Sequence, residues 1–295
     1  MSAKRFCFAC LLAFSLVACR PAQTDEPVPA KPTVDAQAES GSATESAWNS
    51  SIQPAAANSP GTAEHVSTKR YKIDISYPTL DAGQAPLNAM LHKIASTAKQ
   101  DFLEALPDPK RFPEFADRQM QLLADFKIAA RTPDFVSVRE TGMQDTGGAH
   151  PIPIDSTIVY DTQAHRTVTL DDLFSDADAA RKALADYARA ELTNKIMAQA
   201  PKSGEGSPQA IKEWKTNAQK MIDDGTQPTM QNFANFIVRA TDNPLEPSPG
   251  LLLVFPPYQV AAYVYGTQTV FVPTGVFARY LKPQYQNAFG IPTVN

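Results

Sequence analysis

His150 stands between two aspartates in the middle of the chain, and this spacing offers the clearest opportunity for acid–base chemistry. Asp145 and Asp155 each lie five residues away, so either carboxylate could orient the imidazole as a general base. No nucleophile accompanies them in a recognisable pattern. The sequence also lacks the serine-hydrolase elbow, the zinc-protease helix motif, the Walker loop and the dinucleotide fingerprint. A hydrolase that uses His150 is therefore an alternative interpretation.

A glycine-bearing loop precedes the same histidine. Gly147 and Gly148 lie in the segment Thr146–Pro151, whose composition is typical of a turn that requires positive φ. In the structural interpretation, His150 is hydrogen-bonded to nearby backbone. In the functional interpretation, a rigid scaffold holds the loop and presents Gly147, Gly148 and His150 to a ligand or a protein.

Three tyrosines near the C-terminus form a second candidate binding surface. Tyr258, Tyr263 and Tyr265 supply amphipathic rings that can stack on a glycan or contact a protein at low entropic cost. The structural alternative places at least two of them in the core, beside Pro256 and Pro257.

Composition limits other kinds of chemistry. The four histidines are scattered, and none has cysteine or carboxylate partners at the spacing of a metal site, so we predict no metal and no cofactor. The chain has 27 Lys and Arg against 31 Asp and Glu, a net charge of −4. This charge argues against nucleic acid and is compatible with a cationic partner.

Periodicity predicts the elements that must position these residues. Alternation of apolar and polar residues predicts strands at 71–77 and 122–131, and an apolar run predicts another at 135–138. Further segments with strand character are 154–160, 233–239, 251–255 and 267–272. Apolar stripes predict helices at 87–106, 176–200 and 211–221. Because strands and helices are grouped rather than regularly alternating, we predict an α+β fold with mixed or antiparallel sheets and packed helices. We expect two small subdomains, at 67–170 and 171–295.

The N-terminus predicts export. Lys4 and Arg5 precede an apolar run from Phe6 to Ala18, which is typical of a secretory signal peptide at residues 1–18 and too short to span a bilayer. All three cysteines lie in the first 19 residues, so the processed protein would keep only Cys19 and would contain no internal disulfide.

Residues Leu16-Val17-Ala18-Cys19 resemble the lipobox of bacterial lipoproteins, in which the cysteine is acylated and becomes the new N-terminus. The resemblance implies lipidation of Cys19 and a lipid-anchored, periplasm-facing protein, and Arg20 favours the outer membrane. Residues 19–66 are rich in small and polar side chains and poor in large apolar ones. We therefore predict a disordered tether, with order beginning at Arg70.

Three segments of the predicted domain together resemble a bacterial extracytoplasmic domain family. They are the loop Thr146–Pro151, the turn region from Asp161-Thr162 to Thr169–Phe174, and Leu253–Tyr263. Members of this family include the lysozyme-responsive anti-sigma factor and accessory modules of peptidoglycan deacetylases. The resemblance spans roughly Tyr71 to Leu281. It implies an α+β fold, an envelope location and, in one branch, direct binding of lysozyme.

The sequence departs from both of these branches. The lipobox and tether stand where the anti-sigma branch has a transmembrane helix and a cytoplasmic segment, and the metal-ligand motif of a deacetylase domain is missing. We therefore expect a non-enzymatic envelope lipoprotein that binds a lysozyme-type muramidase or a cell-wall component. The alternatives are a cell-wall-acting hydrolase that uses His150 and a scaffold lipoprotein of envelope assembly.

Overall fold

The structure is a computed structural model that describes residues 60–292. The predicted signal peptide, Cys19 and most of the predicted tether lie outside the described residues, so the predictions for them stay predictions. The described residues lie within one compact unit. None of their helices is long and apolar enough to cross a membrane.

The larger of two sheets has six strands that lie side by side in chain order. They are β1 (Pro60–Ser67), β2 (Tyr71–Pro78), β3 (Met120–Arg131), β4 (Phe135–Asp145), β5 (Ile152–Asp161) and β6 (Arg166–Val168). Neighbouring strands are antiparallel except β2 and β3, which are parallel. A parallel pair requires a crossover connection, and helix α1 (Ala85–Glu104) supplies it.

The first core lies between this sheet and α1. Alternation in β2 and β3 turns one face of each strand toward the helix, with Ile73, Ile75, Leu122, Ala124 and Phe126 among the buried residues. The helix contributes Leu87, Leu91, Ala95 and Phe102 from its apolar stripe. Full burial of a leucine or phenylalanine side chain stabilises the fold by about 1.5–3 kcal/mol. This layer therefore makes the sheet a rigid base for the loop between β4 and β5.

Helices and a small antiparallel sheet form the second half of the described chain. They are α2 (Ala177–Met197), α3 (Pro208–Gly225), β7 (Phe236–Val238), β8 (Gly250–Phe255), β9 (Gln268–Pro273) and the short α4 (Pro283–Gln286). The side chains of Asp176 and Ser207 accept hydrogen bonds from backbone N–H groups in the first turns of α2 and α3, which fixes where each helix begins. The predicted α+β fold is confirmed.

Strand β8 is an uninterrupted apolar run because both of its faces are buried. Leu251, Leu253 and Phe255 belong to the large core formed with α2 and the C-terminal segment. Leu252 and Val254 pack with Ala130 of β3. The three-stranded sheet thus lies between the helices and the larger sheet, which explains the lack of polar alternation.

Hydroxyl groups join the two sheets. The N–H of Val238 donates to the hydroxyl of Ser137 (3.1 Å), and the N–H of Phe236 donates to the hydroxyl of Thr157 (2.8 Å). These bonds satisfy backbone groups of β7 that would otherwise be buried without a partner. The predicted subdomain boundary falls between the two sheets along the sequence, and the division into subdomains stays a prediction.

Strand β1 corrects the predicted start of order. The sequence predicts a tether up to residue 66, whereas Pro60–Ser67 forms a strand paired with β2. The prediction is wrong there because β1 is held by backbone pairing and polar contacts rather than by apolar burial. Glu64 accepts hydrogen bonds from the Tyr77 hydroxyl (2.7 Å) and from Lys99 (2.6 Å), and His65 pairs with Asp74.

Candidate functional site

The structure brings three of the six predicted binding residues together at the protein surface. The ring of His150 stacks on Tyr263 with centroids 4.9 Å apart, and Tyr258 stacks on Tyr263 at 5.5 Å. The hydroxyl oxygen of Tyr258 lies 3.0 Å from Nε2 of His150. Tyr258 is 50% exposed and Tyr263 is 40% exposed. We refer to His150, Tyr258 and Tyr263 as the aromatic surface.

The loop after β8 holds both tyrosines in place. Tyr258 has a φ of +73°, in the left-handed region that is unusual for a bulky side chain. The side-chain amide of Gln259 donates to the carbonyl oxygens of Gly225 (3.0 Å) and Asn232 (2.8 Å), which anchors the loop to the end of α3. Backbone strain of this kind persists where surrounding contacts impose it, and it concentrates at functional sites.

The loop between β4 and β5 places His150 against these tyrosines. Gly147 has a φ of +97°, and a Cβ there would lie 2.7 Å from the ring of Phe115, so both conformation and packing require glycine. At Gly148 a Cβ would meet only the carbonyl oxygen of His150, at 3.6 Å. Nδ1 of His150 lies 3.0 Å from the carbonyl oxygen of Pro151. The turn thus has the predicted positive φ and also presents the imidazole.

Asp145 fixes this turn. Its carboxylate accepts hydrogen bonds from the N–H of Gly147 (2.9 Å) and from Arg118 (2.8 Å). Burial by itself would raise the pKa of Asp145, but the hydrogen bond from Gly147 and the hydrogen bond and charge of Arg118 outweigh burial and hold that pKa below its ordinary value. The carboxylate is therefore ionised at neutral pH.

Tyr265 lies in the core rather than in the aromatic surface. Its hydroxyl accepts a hydrogen bond from the indole N–H of Trp214 on α3 (3.1 Å), and its partly buried ring packs against the large core. Tyr265 therefore packs against the core, as the structural alternative proposed for these tyrosines, whereas Tyr258 and Tyr263 are exposed at the surface. Val264 lies between Tyr263 and Tyr265 in the sequence and is 75% exposed, and no sequence pattern had singled it out.

A buried ion pair supports the end of the same loop. Asp155 forms a bidentate pair with Arg139, at 2.6 Å from Nε and 2.5 Å from Nη2, and the two side chains are only 6% and 4% exposed. Burial lowers the pKa of Arg139, and the Asp155 carboxylate opposes that shift. Thr267, the residue before β9, donates to Asp155. The pair therefore ties the loop that carries the tyrosines to β4 and β5.

The two carboxylates that were candidates to orient His150 are thus engaged elsewhere. Asp145 is bonded to Arg118, and Asp155 is bonded to Arg139. Among the described residues, neither carboxylate is a hydrogen-bond partner of His150, whose ring nitrogens face Pro151 and Tyr258. In this geometry neither Asp145 nor Asp155 is positioned to orient the imidazole of His150 as a general base.

The structure contains a further concavity of about 450 Å³, lined by residues of α1, β5, β6 and the segment 230–236. Its walls are mostly apolar, and Arg181 at one side is already paired with Asp171. His150, Tyr258 and Tyr263 do not line it. Within residues 60–292, no group of three or more His, Cys, Asp or Glu side chains is arranged to hold a metal ion.

Gly225→Ala is expected to displace the loop that carries Tyr258 and Tyr263, because α3 packs against that loop at this position. A Cβ at this position would lie 2.0 Å from the carbonyl oxygen of Gln259, which is backbone of the loop and cannot move aside as a flexible side chain can. We expect the free energy of unfolding to fall by about 1–3 kcal/mol in chemical denaturation. Gly275→Ala is the control, because a Cβ there meets nothing within 4 Å. Equal effects of the two substitutions would contradict this role of Gly225.

The fold defines an α+β domain with a mixed six-stranded sheet and an antiparallel three-stranded sheet. Residues 171–275 match the model of the family described as "Protein of unknown function (DUF3298)". The match includes the segment Leu253–Tyr263, which carried part of the predicted resemblance, and the loop Thr146–Pro151 lies before it.

The chain is also similar to the peptidoglycan-N-acetylmuramic acid deacetylase PdaC of Bacillus subtilis, with 23% identity over 219 residues. The similarity covers 74% of this chain and 40% of the deacetylase, so the chain spans about two fifths of that relative's length. The predicted resemblance to the family that supplies modules of peptidoglycan deacetylases is confirmed.

Two solved structures of proteins described as members of the DUF3298 family are also similar to this chain. The one from Bacteroides fragilis has a TM-score of 0.49 and 16% identity, covering 78% of this chain and 98% of that chain. The one from Pseudomonas aeruginosa has a TM-score of 0.48 and 16% identity, covering 79% and 97%.

Proposed function

We propose that this domain is a non-catalytic module of the cell envelope that binds the glycan strands of peptidoglycan through the aromatic surface. The observation that carries the proposal is the stacked, exposed arrangement of His150, Tyr258 and Tyr263. Scattered apolar side chains are ordinary at a protein surface, but an ordered group of aromatic rings presented together favours a ligand.

A sugar chain suits this surface chemically. The C–H groups on one face of a pyranose ring are apolar and pack against an aromatic ring, while its hydroxyl and acetamido groups bond to phenol and imidazole groups at the edge. The loops are already held by Gln259 and Asp145, so binding costs little additional ordering. Several adjacent rings on an open surface fit a linear polymer better than a compact small molecule.

The similarity to the deacetylase supports peptidoglycan as the polymer. The name of that protein states that it acts on peptidoglycan N-acetylmuramic acid. A domain that binds the glycan would hold such an enzyme at its substrate, and we propose the same binding for this chain. We also propose that this protein is located in the cell envelope.

Alanine substitution of the two tyrosines tests glycan binding. Tyr258→Ala and Tyr263→Ala each remove a stacking ring, so we expect each to weaken binding about tenfold, or about 1.4 kcal/mol. Co-sedimentation with purified insoluble peptidoglycan detects binding, and calorimetry with soluble glycan fragments gives the Kd.

Phe271→Ala is the matched control, because Phe271 is an aromatic residue on β9 that is 43% exposed and lies outside the aromatic surface. This variant should bind as tightly as the unaltered protein. Denaturation curves of the same samples check that every variant is folded. An unchanged Kd in the double variant Tyr258→Ala/Tyr263→Ala would refute the proposal.

As an alternative ligand of this domain we propose a cationic lysozyme-type muramidase. The chain's net charge of −4 would attract such a partner electrostatically. Salt-sensitive binding of a muramidase without any glycan binding would favour that partner. Release of soluble muropeptides at a rate lowered by His150→Ala would favour the hydrolase alternative. Binding of neither glycan nor muramidase would favour the scaffold alternative.

We propose further that lipid on Cys19 anchors the protein to a membrane, facing the periplasm. The support is the lipobox-like sequence Leu16–Cys19 behind an apolar run too short to span a bilayer. Burial contributes about 0.8 kcal/mol per methylene, so several acyl chains would hold the protein at the membrane effectively permanently. The outer membrane, which Arg20 favours, would place the domain within reach of the glycan.

A further inference from the structure

Phe112, another exposed aromatic residue, lies on the far side of the Gly147–Gly148 loop from His150 and next to the cationic side chain of Arg111. Phe115 packs against Gly147, and the centroid of its ring lies 6.4 Å from that of Phe112. The guanidinium carbon of Arg111 lies 5.7 Å from the centre of the Phe112 ring. Phe112 is 42% exposed, and Arg111 is exposed as well. A continuous series of neighbouring groups thus leads from His150 to Arg111.

The segment that carries Arg111 is anchored at both ends. Arg70 donates a hydrogen bond to the carbonyl oxygen of Pro107 (2.9 Å), and Arg118 pairs with Asp145 (2.8 Å). Within residues 60–292, no carboxylate lies within ion-pair distance of Arg111, in contrast to Arg118. An exposed guanidinium beside an aromatic ring on an anchored segment is therefore available to an anion.

We infer that Arg111 and Phe112 form a second subsite, which binds the carboxylate-bearing substituent of an N-acetylmuramic acid residue. The inference rests on the proposed function and names the part of the polymer that this site distinguishes. A muramyl residue differs from N-acetylglucosamine by its lactyl group, and the peptide attached there carries free carboxylates. Arg111 supplies charge-assisted hydrogen bonds to such a group, and Phe112 supplies apolar contact to the peptide stem.

The glycine loop makes this arrangement sterically feasible. A substituent that extends from a sugar on the aromatic surface toward Arg111 must cross Gly147 and Gly148. Gly148 is exposed, and a Cβ there would meet only the carbonyl oxygen of His150, at 3.6 Å, so no side chain at this position projects into that path. Phe115 packs against Gly147, so the segment that carries Phe112 is in contact with the loop that carries His150.

Two ligands separate this inference from the proposed function. One is a muropeptide with its carboxylates intact, and the other is the same muropeptide with its carboxylates converted to carboxamides. In calorimetry with the full chain in detergent, we expect both to bind and the intact ligand to bind about tenfold more tightly at low salt. Arg111→Gln is expected to abolish this preference, and Arg111→Lys to keep part of it because the charge remains.

Arg279→Gln is the matched control, because Arg279 also stacks on an aromatic ring, that of Tyr280, at 4.6 Å. This variant should keep the full preference. Equal binding of the two ligands by the unaltered protein would overturn the second subsite and leave the proposed function standing. A preference that survives Arg111→Gln would overturn the role of Arg111. Failure to bind either ligand would overturn the proposed function and the inference together.

Discussion

Asp155→Ala is expected to lower the free energy of unfolding by about 3–5 kcal/mol, because it leaves the guanidinium of Arg139 buried without its carboxylate. Both side chains are almost fully enclosed, so the charge of Arg139 stays in a region of low dielectric constant when the carboxylate is removed. The substitution also removes the acceptor of the Thr267 hydroxyl at the end of the loop that carries the tyrosines. Urea denaturation followed by circular dichroism measures the effect.

A double variant separates the cost of removing the Asp155 carboxylate alone from the net contribution of the ion pair to stability. Arg139→Met/Asp155→Leu removes both charges and fills the space with apolar groups, so it is expected to be more stable than Asp155→Ala. If Asp155→Ala unfolds at the same urea concentration as the unaltered protein, the pair does not have the structural role described above.

Cys19→Ala is expected to abolish incorporation of radiolabelled palmitate when the protein is expressed in a bacterium. Alanine has no thiol to be acylated, so the protein loses the chains that would bury many methylene groups in the membrane. Labelled protein is detected by autoradiography after immunoprecipitation.

Cys10→Ala is the matched control for lipidation. Cys10 lies within the predicted signal peptide and would be removed with it, so this variant should incorporate palmitate as the unaltered protein does. Palmitate in the Cys19→Ala protein would contradict the lipobox interpretation, as would the absence of label from the unaltered protein.

Local patterns were sufficient to predict most helices and strands. The apolar stripe of α1 and the alternation in β3 are set by neighbours along the chain, and the structure has both elements within a few residues of the predicted bounds. β4 is much longer than the predicted 135–138, because its second half is only partly buried and gives a weak alternation. The parallel pairing of β2 with β3 had no local signature, since it depends on where α1 returns the chain.

The sequence was sufficient to predict which residues are candidates for the site, but not which of them are in contact. Tyr258 and His150 are 108 positions apart, so their contact depends on how the two sheets pack. Composition also did not distinguish Tyr263 from Tyr265, which lie in the same turn of 3₁₀ helix. Trp214 on α3 decides the difference, because its indole N–H binds Tyr265 and holds that ring against the core.

Strand β1 has a consequence for how the domain responds to mechanical load. β1 is the first strand of the described residues, so a pull directed along the chain from its N-terminal side reaches β1 before the other described elements. β1 is at the edge of its sheet and pairs with β2, and its side chains belong to none of the buried cores of the described residues. Peeling it away releases about 3.3 Å of chain per residue. We therefore expect tension from this side to detach β1 first and to leave the buried cores beneath His150 and the tyrosines intact.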